Sequence, residues 1–225
     1  VSKMSIIYKP QKDMELFAPF GPTMGYFKMP TDLVEKLNNR MSDKLQDYSN
    51  NLVGKVKEEL KFDEETIKIA QAGVGQFIGK YQAYSEYRNS MGAKTLDPEN
   101  FNYAVQIVSG WFVRQFEQEY NPLHIHTSCR LSCVGYLKLP DGIEKEWEED
   151  YKDHHPSHGH IQFANGTSAG YSCTNFLIKP QVGDFYVFPS QLFHCVYPFY
   201  TKGERRSFSM NMNFIEVPKE KSVDK

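Results

Sequence analysis

The sequence has little of what would place it outside ordinary globular proteins. It carries four cysteines in 225 residues, Cys129, Cys133, Cys173 and Cys195, and none forms a Cys-x-x-Cys pair. That spacing argues against a zinc knuckle, and four thiols are too few to staple a chain this long. Reduced, mostly buried thiols in a cytoplasm are the expectation. No apolar run approaches the roughly 20 residues a membrane helix needs. The opening VSKMSIIYKPQKDMELF lacks a basic stretch leading into a long apolar one, so no export signal is read there. Charge of one sign is missing too: 26 basic against 28 acidic side chains leave a formal charge of -2. Nothing there provides the basic field of a nucleic-acid binder. No internal repeat is apparent.

What is present describes a folded, β-rich protein. Hydrophobic residues make up 40% and charged residues 24%, which excludes disorder as the whole account. Aromatic residues, 16 Phe and 14 Tyr among them, reach 14% and favour pleated, half-buried surfaces. The first hundred residues read as helical. Val34, Leu37, Met41 and Leu45, then Leu52, Val56 and Leu60, fall near helical spacing, with Thr31 after Pro30 as the expected N-cap and Asp32 in the first turn. A second stripe runs through Ile67, Ala70, Val74, Phe77, Tyr81 and Tyr84. Gly73, Gly75 and Gly79 lie inside it, without the preceding strand or the spacing of a phosphate loop, so close helix packing is expected. Gly92 to Pro98 reads as a connecting loop.

From residue 101 the period changes. Tyr103 to Phe116, Leu131–Leu139, Ile161–Phe163, Asn175–Ile178, Phe185–Phe188 and Phe208–Phe214 are rich in β-branched and aromatic residues. Asn121-Pro122, Pro140-Asp141-Gly142, Asn165-Gly166, Lys179-Pro180, Pro189-Ser190 and Lys202-Gly203 punctuate them as turns. Short strands with regular punctuation predict a sandwich or barrel with helices on one outer face. Residues 143–158 interrupt this pattern with a formal charge of -4. They read as a solvated loop, with a lid over a site as the sharper alternative. As a lid, Glu148, Glu149 and Asp150 would favour a cationic substrate.

The histidines carry the chemical signal. His124 and His126 are two apart, so on a strand both imidazoles face one side of the sheet. They read either as hydrogen-bonded histidines near a turn or as two metal ligands. His194 lies inside the apolar run Leu192–Tyr197, where a lone polar ring is costly unless satisfied. A barrel that places His194 beside the His124–His126 strand would assemble three imidazoles, which suit Fe, Zn, Cu or Ni. Arg205 and Ser207 share a strand face and could clamp a carboxylate, and alternation lets only one of Arg205 and Arg206 point inward. His154, His155, His158 and His160 cluster in or beside the acidic segment and read as exposed polar residues, with His160 the nearest to any pocket.

The order Asn121-Pro122-Leu123-His124-Ile125-His126, Leu131 to Leu137, Gly159 to Phe163, Gly183-Asp184-Phe185, Phe188-Pro189-Ser190, His194 and Gly203-Glu204-Arg205-Arg206-Ser207 resembles the 2-oxoglutarate- and Fe(II)-dependent oxygenases. It is most similar to a group found in marine phages and bacteria and related to prolyl 4-hydroxylases. The likeness spans roughly residues 101–215. It implies a double-stranded β-helix (jelly roll) core over residues 101–218, an N-terminal helical extension over 1–100 packed on that core, and a tail over 219–225. His124, His126 and His194 would hold Fe(II), with His126 standing where most of the superfamily has Asp or Glu. Arg205 and Ser207, assisted by the Tyr136 hydroxyl, would take the far carboxylate of 2-oxoglutarate. The implied reaction couples decarboxylation of 2-oxoglutarate by O2 to hydroxylation of a protein residue or small molecule. Two other readings stand beside it: a three-histidine dioxygenase of cupin type that needs no keto acid, and a non-catalytic jelly roll, a binding or virion component.

Overall fold

A computed structural model describes residues 6–11, 14–17, 21–89, 103–148, 157–167 and 174–216. In chain order the elements are β1 (Ile6–Gln11), β2 (Met14–Phe17), β3 (Met24–Lys28), α1 (Thr31–Arg40), β4 (Glu58–Lys61), α2 (Glu64–Asn89), β5 (Tyr103–Gln115), β6 (Asn121–His124), β7 (Leu131–Lys138), α3 (Ile143–Glu148), β8 (Ile161–Ala164), β9 (Asn175–Ile178), β10 (Asp184–Pro189), β11 (Phe193–Val196) and β12 (Arg205–Glu216). The strands form an eight-stranded sheet, β1-β2-β3-β10-β7-β12-β5-β4, and a four-stranded sheet, β6-β11-β8-β9. All their pairings are antiparallel. This is the expected jelly roll, mostly β with few helices.

Strand alternation sorts the large sheet into two chemically distinct faces. One buries Phe112, Cys133, Leu137, Phe185, Val187, Phe208 and Met210 against Leu33, Val34 and Leu37 of α1 and Ala70, Val74, Ile78 and Tyr81 of α2. The other turns Val134, Tyr136, Tyr186 and Phe188 toward Ile161, Phe163 and Ile178 of the small sheet. The site forms between the sheets, where this second core opens into a cavity.

The helical reading of the N-terminal part needs four corrections. Helix α1 begins at Thr31 itself, with Pro30 at the cap position and no side-chain cap. It ends at Arg40, because Ser42, Asp43, Asp47, Ser49, Asn50 and Asn51 offer the backbone local hydrogen bonds that compete with a helix. Ser49 shows this directly, its N–H donating to Asp47 Oδ1 at 3.0 Å. Leu60 is therefore a strand residue, on β4 at the edge of the large sheet, not a helical one. β3 joins the same sheet from its other side, so the first hundred residues complete the large sheet as well as cover it.

Helix α2 follows its predicted stripe. Its N-terminus is capped by Asp63, whose Oδ1 accepts the Thr66 N–H at 2.9 Å. Gly73 faces Leu33 so closely that an added Cβ would meet Leu33 Cδ1 at 2.5 Å, the close packing expected of it. Asn121-Pro122 opens β6 rather than making a turn; β6 is an edge strand, where a missing N–H is tolerated. Residues 143–148 of the acidic segment are a short helix, α3. Glu149, Asp150, His154, His155, Cys173, the 92–98 loop and the 219–225 tail lie outside the described residues.

Candidate metal and co-substrate site

Three strand ends bring the histidines together. His124 closes β6, and His194 sits in β11 directly opposite it in register. His126 lies two residues beyond β6, where its N–H donates to Ser190 O at 2.8 Å. The ring centroids of His124 and His194 are 4.2 Å apart, and His126 Nε2 and His194 Nε2 approach to 3.2 Å. One ring nitrogen from each of the three lies within 4.8 Å of the others.

Hydrogen bonds orient the rings. His124 Nδ1 lies 2.7 Å from Pro122 O and His194 Nδ1 lies 2.9 Å from Leu192 O. A carbonyl can only accept, so each Nδ1 carries the proton and each Nε2 presents a lone pair, that of His194 toward His126 Nε2 at 3.2 Å. Burial pushes the His124 imidazole down, and it pushes His194, only 4% exposed, well below the ordinary histidine range. Burial, reinforced by His124, lowers His126 to about 4. Three neutral imidazoles are the form that ligates a metal.

The cavity extends from the histidines to Arg205 and encloses about 270 Å³. Arg205, Ser207, Ser209 and Asn211 line it from alternate positions of β12. Arg206 points to the other face, where it pairs with Glu204 and donates to Asn38 Oδ1 at 3.1 Å. Alternation thus decides between the two arginines in favour of Arg205. Its guanidinium is 2% exposed, yet no carboxylate pairs with it among the described residues. Nη1 donates to Gly159 O at 2.6 Å, Nη2 to Gln115 Oε1, and Nε has no partner. Ser207 stands directly across from Tyr136 on β7. The Tyr136 side chain is 1% exposed, burial raises its hydroxyl to about 12, and that hydroxyl is also unpartnered.

A buried cation without a counter-ion and a buried hydroxyl without a partner each carry a desolvation cost. A dianionic carboxylate ligand would offset both, and a metal would use the three imidazoles, so the residues present fit an iron and keto-acid pair. His160 is outside the cavity, its Nδ1 held by His158 O at 2.8 Å. His158 instead pairs with Glu146 at 3.0 Å. Three lining residues or supports carry no signal in the sequence pattern: Trp111, whose ring lies 5.9 Å from His126; Gln115; and Glu59. Alternation along β12 puts Asn211 on one face with Ser209, and there it lies against His126. Glu59 belongs to the charge-rich run Glu58–Glu65, which reads as a solvated face.

Residues 109–211 match the protein family described as "Putative 2OG-Fe(II) oxygenase". No curated protein matches by sequence. Among solved structures, the chain is similar to HygX from Streptomyces hygroscopicus, solved with nickel and 2-oxoglutarate bound: 10% identity, TM-score 0.51, 87% of this chain and 83% of that one covered. A prolyl-4-hydroxylase from Pseudomonas putida matches at 14% identity and TM-score 0.49, over 88% and 94% of the two chains. At 10% identity the likeness to HygX speaks for the fold alone. The matched stretch, a little under half of the chain, contains all three histidines, Arg205 and Ser207, and over it the chain is similar to the 2-oxoglutarate- and Fe(II)-dependent oxygenases.

Proposed function

We propose that the protein is a hydroxylating oxygenase that uses Fe(II), 2-oxoglutarate and O2. One observation carries the co-substrate: Arg205 is a buried, unpaired guanidinium in the same cavity as the three histidines. A cupin-type dioxygenase without a keto acid would need its substrate to bring the anion that Arg205 pairs with.

In this reading His124, His126 and His194 would hold the iron, each offering one ring nitrogen. When bound, the iron and keto acid would supply the oxidising chemistry with O2. The chain's own residues bind and orient. Arg205 gives the far carboxylate a charged donor, Ser207 and Tyr136 add hydroxyl donors beside it, and Gln115 and Gly159 hold the guanidinium in place. Val134, Ile161 and Phe188 line the cavity with apolar surface that excludes water around these groups. Three neutral ligands cancel none of the metal's charge, so the dianion brings the local sum to about neutral, where a carboxylate ligand would leave it near -1.

The substrate is a protein residue or a small molecule. Support for hydroxylation comes from the family match over residues 109–211 and from a triad in which all three ligand positions are filled by histidine. The experiment is anaerobic addition of Fe(II), then 2-oxoglutarate, to the purified protein, followed by visible absorption. A saturable metal-to-ligand charge-transfer band is expected. Iron binding without that band would favour the cupin-type reading, and no iron binding would favour the non-catalytic jelly roll.

A further inference from the structure

The cavity contains a carboxyl group that the iron and keto-acid reading leaves unused. Glu59, on edge strand β4, is 3% exposed and lines the same cavity as the three histidines. Its register partner is Val113 of β5, which in turn faces Ser207 of β12. Glu59 therefore sits on the row of the sheet that holds Ser207, two strands toward the edge. Trp111, one inward-facing position along β5 from Val113, spans the distance to His126, its ring centroid 5.9 Å from that imidazole. Tyr48 packs on Trp111 with centroids 5.7 Å apart.

Among the described residues no cation meets the Glu59 carboxyl. No side chain donates to it or pairs with it among the described residues. Lys61, its same-face neighbour on the strand, lies 6.0 Å over the Tyr48 ring. Lys57 contributes only its backbone N–H, to Glu119 Oε1 at 3.3 Å. Arg205 is committed to Gln115 and Gly159, and Arg114 to Glu204, Glu58 and Asp43. The nearest charges are carboxylates with partners of their own. Asp47 accepts the Ser49 N–H and hydroxyl, and Glu119 accepts the Phe116 and Lys57 N–H groups. Burial, then Asp47 and Glu119, raise Glu59 to about 8. The native fold thus keeps a carboxyl buried, unpaired and surrounded by negative charge, which costs stability unless something occupies the space.

We infer that Glu59, with the aromatic wall of Trp111 and Tyr48, is the subsite for a protonated nitrogen of the substrate, an ammonium or guanidinium group. A cation there gains an ion pair with Glu59 and the aromatic faces, while the rest of the molecule lies along Trp111 toward the histidines. The inference names a substrate class for the same cavity and so rests on the oxygenase reading for its chemical purpose. It does not rest on the acidic 143–158 segment.

The probe is n-butylammonium chloride, with n-butanol and sodium chloride as controls, on full-length protein carrying carboxyl-13C glutamate. The Glu59 signal is identified by its loss in Glu59→Gln. At pH 7 that signal is expected to move saturably toward the ionised position with n-butylammonium and to ignore both controls. The Trp111 indole signal should report binding at least about tenfold weaker in Glu59→Gln. A Glu59 signal that ignores n-butylammonium, or follows n-butanol equally, overturns the inference using the unsubstituted protein alone. The measurement needs neither iron nor keto acid. Failure of the oxygenase reading would show separately, as absence of the charge-transfer band, which Glu59→Gln is expected to retain.

Discussion

His124 and His194, 70 positions apart in the chain, are direct cross-strand partners on β6 and β11, and each ring is aimed by a hydrogen bond to the carbonyl two residues before it. This pairing is what turns an isolated His-x-His into a three-nitrogen cluster. His194→Ala is expected to lower Fe(II) affinity more than about 100-fold and to abolish the charge-transfer band. Cys195→Ser, on the adjacent outward-facing position, should leave both unchanged. Iron titration of the two variants is the check.

Arg205 and Arg206 should separate cleanly. Arg205→Ala removes the buried cation from the cavity and is expected to weaken 2-oxoglutarate at least about 30-fold. Arg206→Ala loosens the contacts to Glu204 and Asn38 on the helical face and should lower Tm with 2-oxoglutarate affinity retained. Titration of the charge-transfer band, paired with thermal unfolding, distinguishes the two.

Tyr136 carries a hydroxyl that is buried without a partner. Tyr136→Phe removes that cost, so the protein without ligands should be as stable as the parent or slightly more so. The same change should weaken 2-oxoglutarate roughly fivefold to tenfold, because one hydrogen bond to the carboxylate is lost. Loss of stability with unchanged affinity would assign Tyr136 to packing alone.

Glu204 gathers Arg206, Arg114 and Lys138 around one buried carboxylate, at 2.8, 2.8 and 3.3 Å. Burial by itself would raise its pKa, but hydrogen bonds from Arg206 and Arg114 outweigh burial and hold it at about 2, below the ordinary 4.5. A depressed carboxyl pKa stabilises the fold fully above the ordinary value and loses that contribution as pH falls toward 2. Glu204→Gln is therefore expected to cost about 2 kcal/mol at pH 7, with the gap to the parent narrowing between pH 4.5 and 3. Urea midpoints across that range test the sign.

Gly73 and Gly75 lie in one helix and should respond oppositely to alanine. At Gly73 the new Cβ meets the Leu33 methyls at 2.5 and 2.6 Å, so Gly73→Ala is expected to cost about 1–3 kcal/mol by overpacking α1 on α2. At Gly75 the nearest atom is Gln71 Cγ at 3.8 Å, so Gly75→Ala should gain about 0.5–1 kcal/mol through helix propensity. Thermal unfolding of both variants decides.

The β-rich class, the stripe of α2 and the inward face of β12 were legible in the sequence because each follows a local period: two for Ser207, Ser209 and Asn211, and near 3.6 for Ala70, Val74 and Tyr81. The candidate ligands His124, His126 and His194 were legible because polar rings in apolar or paired positions are costly without a purpose. What failed locally was the 41–60 segment, where apolar spacing suggested a helix but Asp, Ser and Asn side chains bonded their own backbone, leaving Leu60 to a strand. Only the tertiary structure decided that His124 faces His194, that Arg205 is buried without a counter-ion, and that Glu59 lies in the same cavity. These are facts about register between strands distant in the chain. A sequence specifies which face a side chain takes on its own strand, but the partner opposite it is set by how the sheets close.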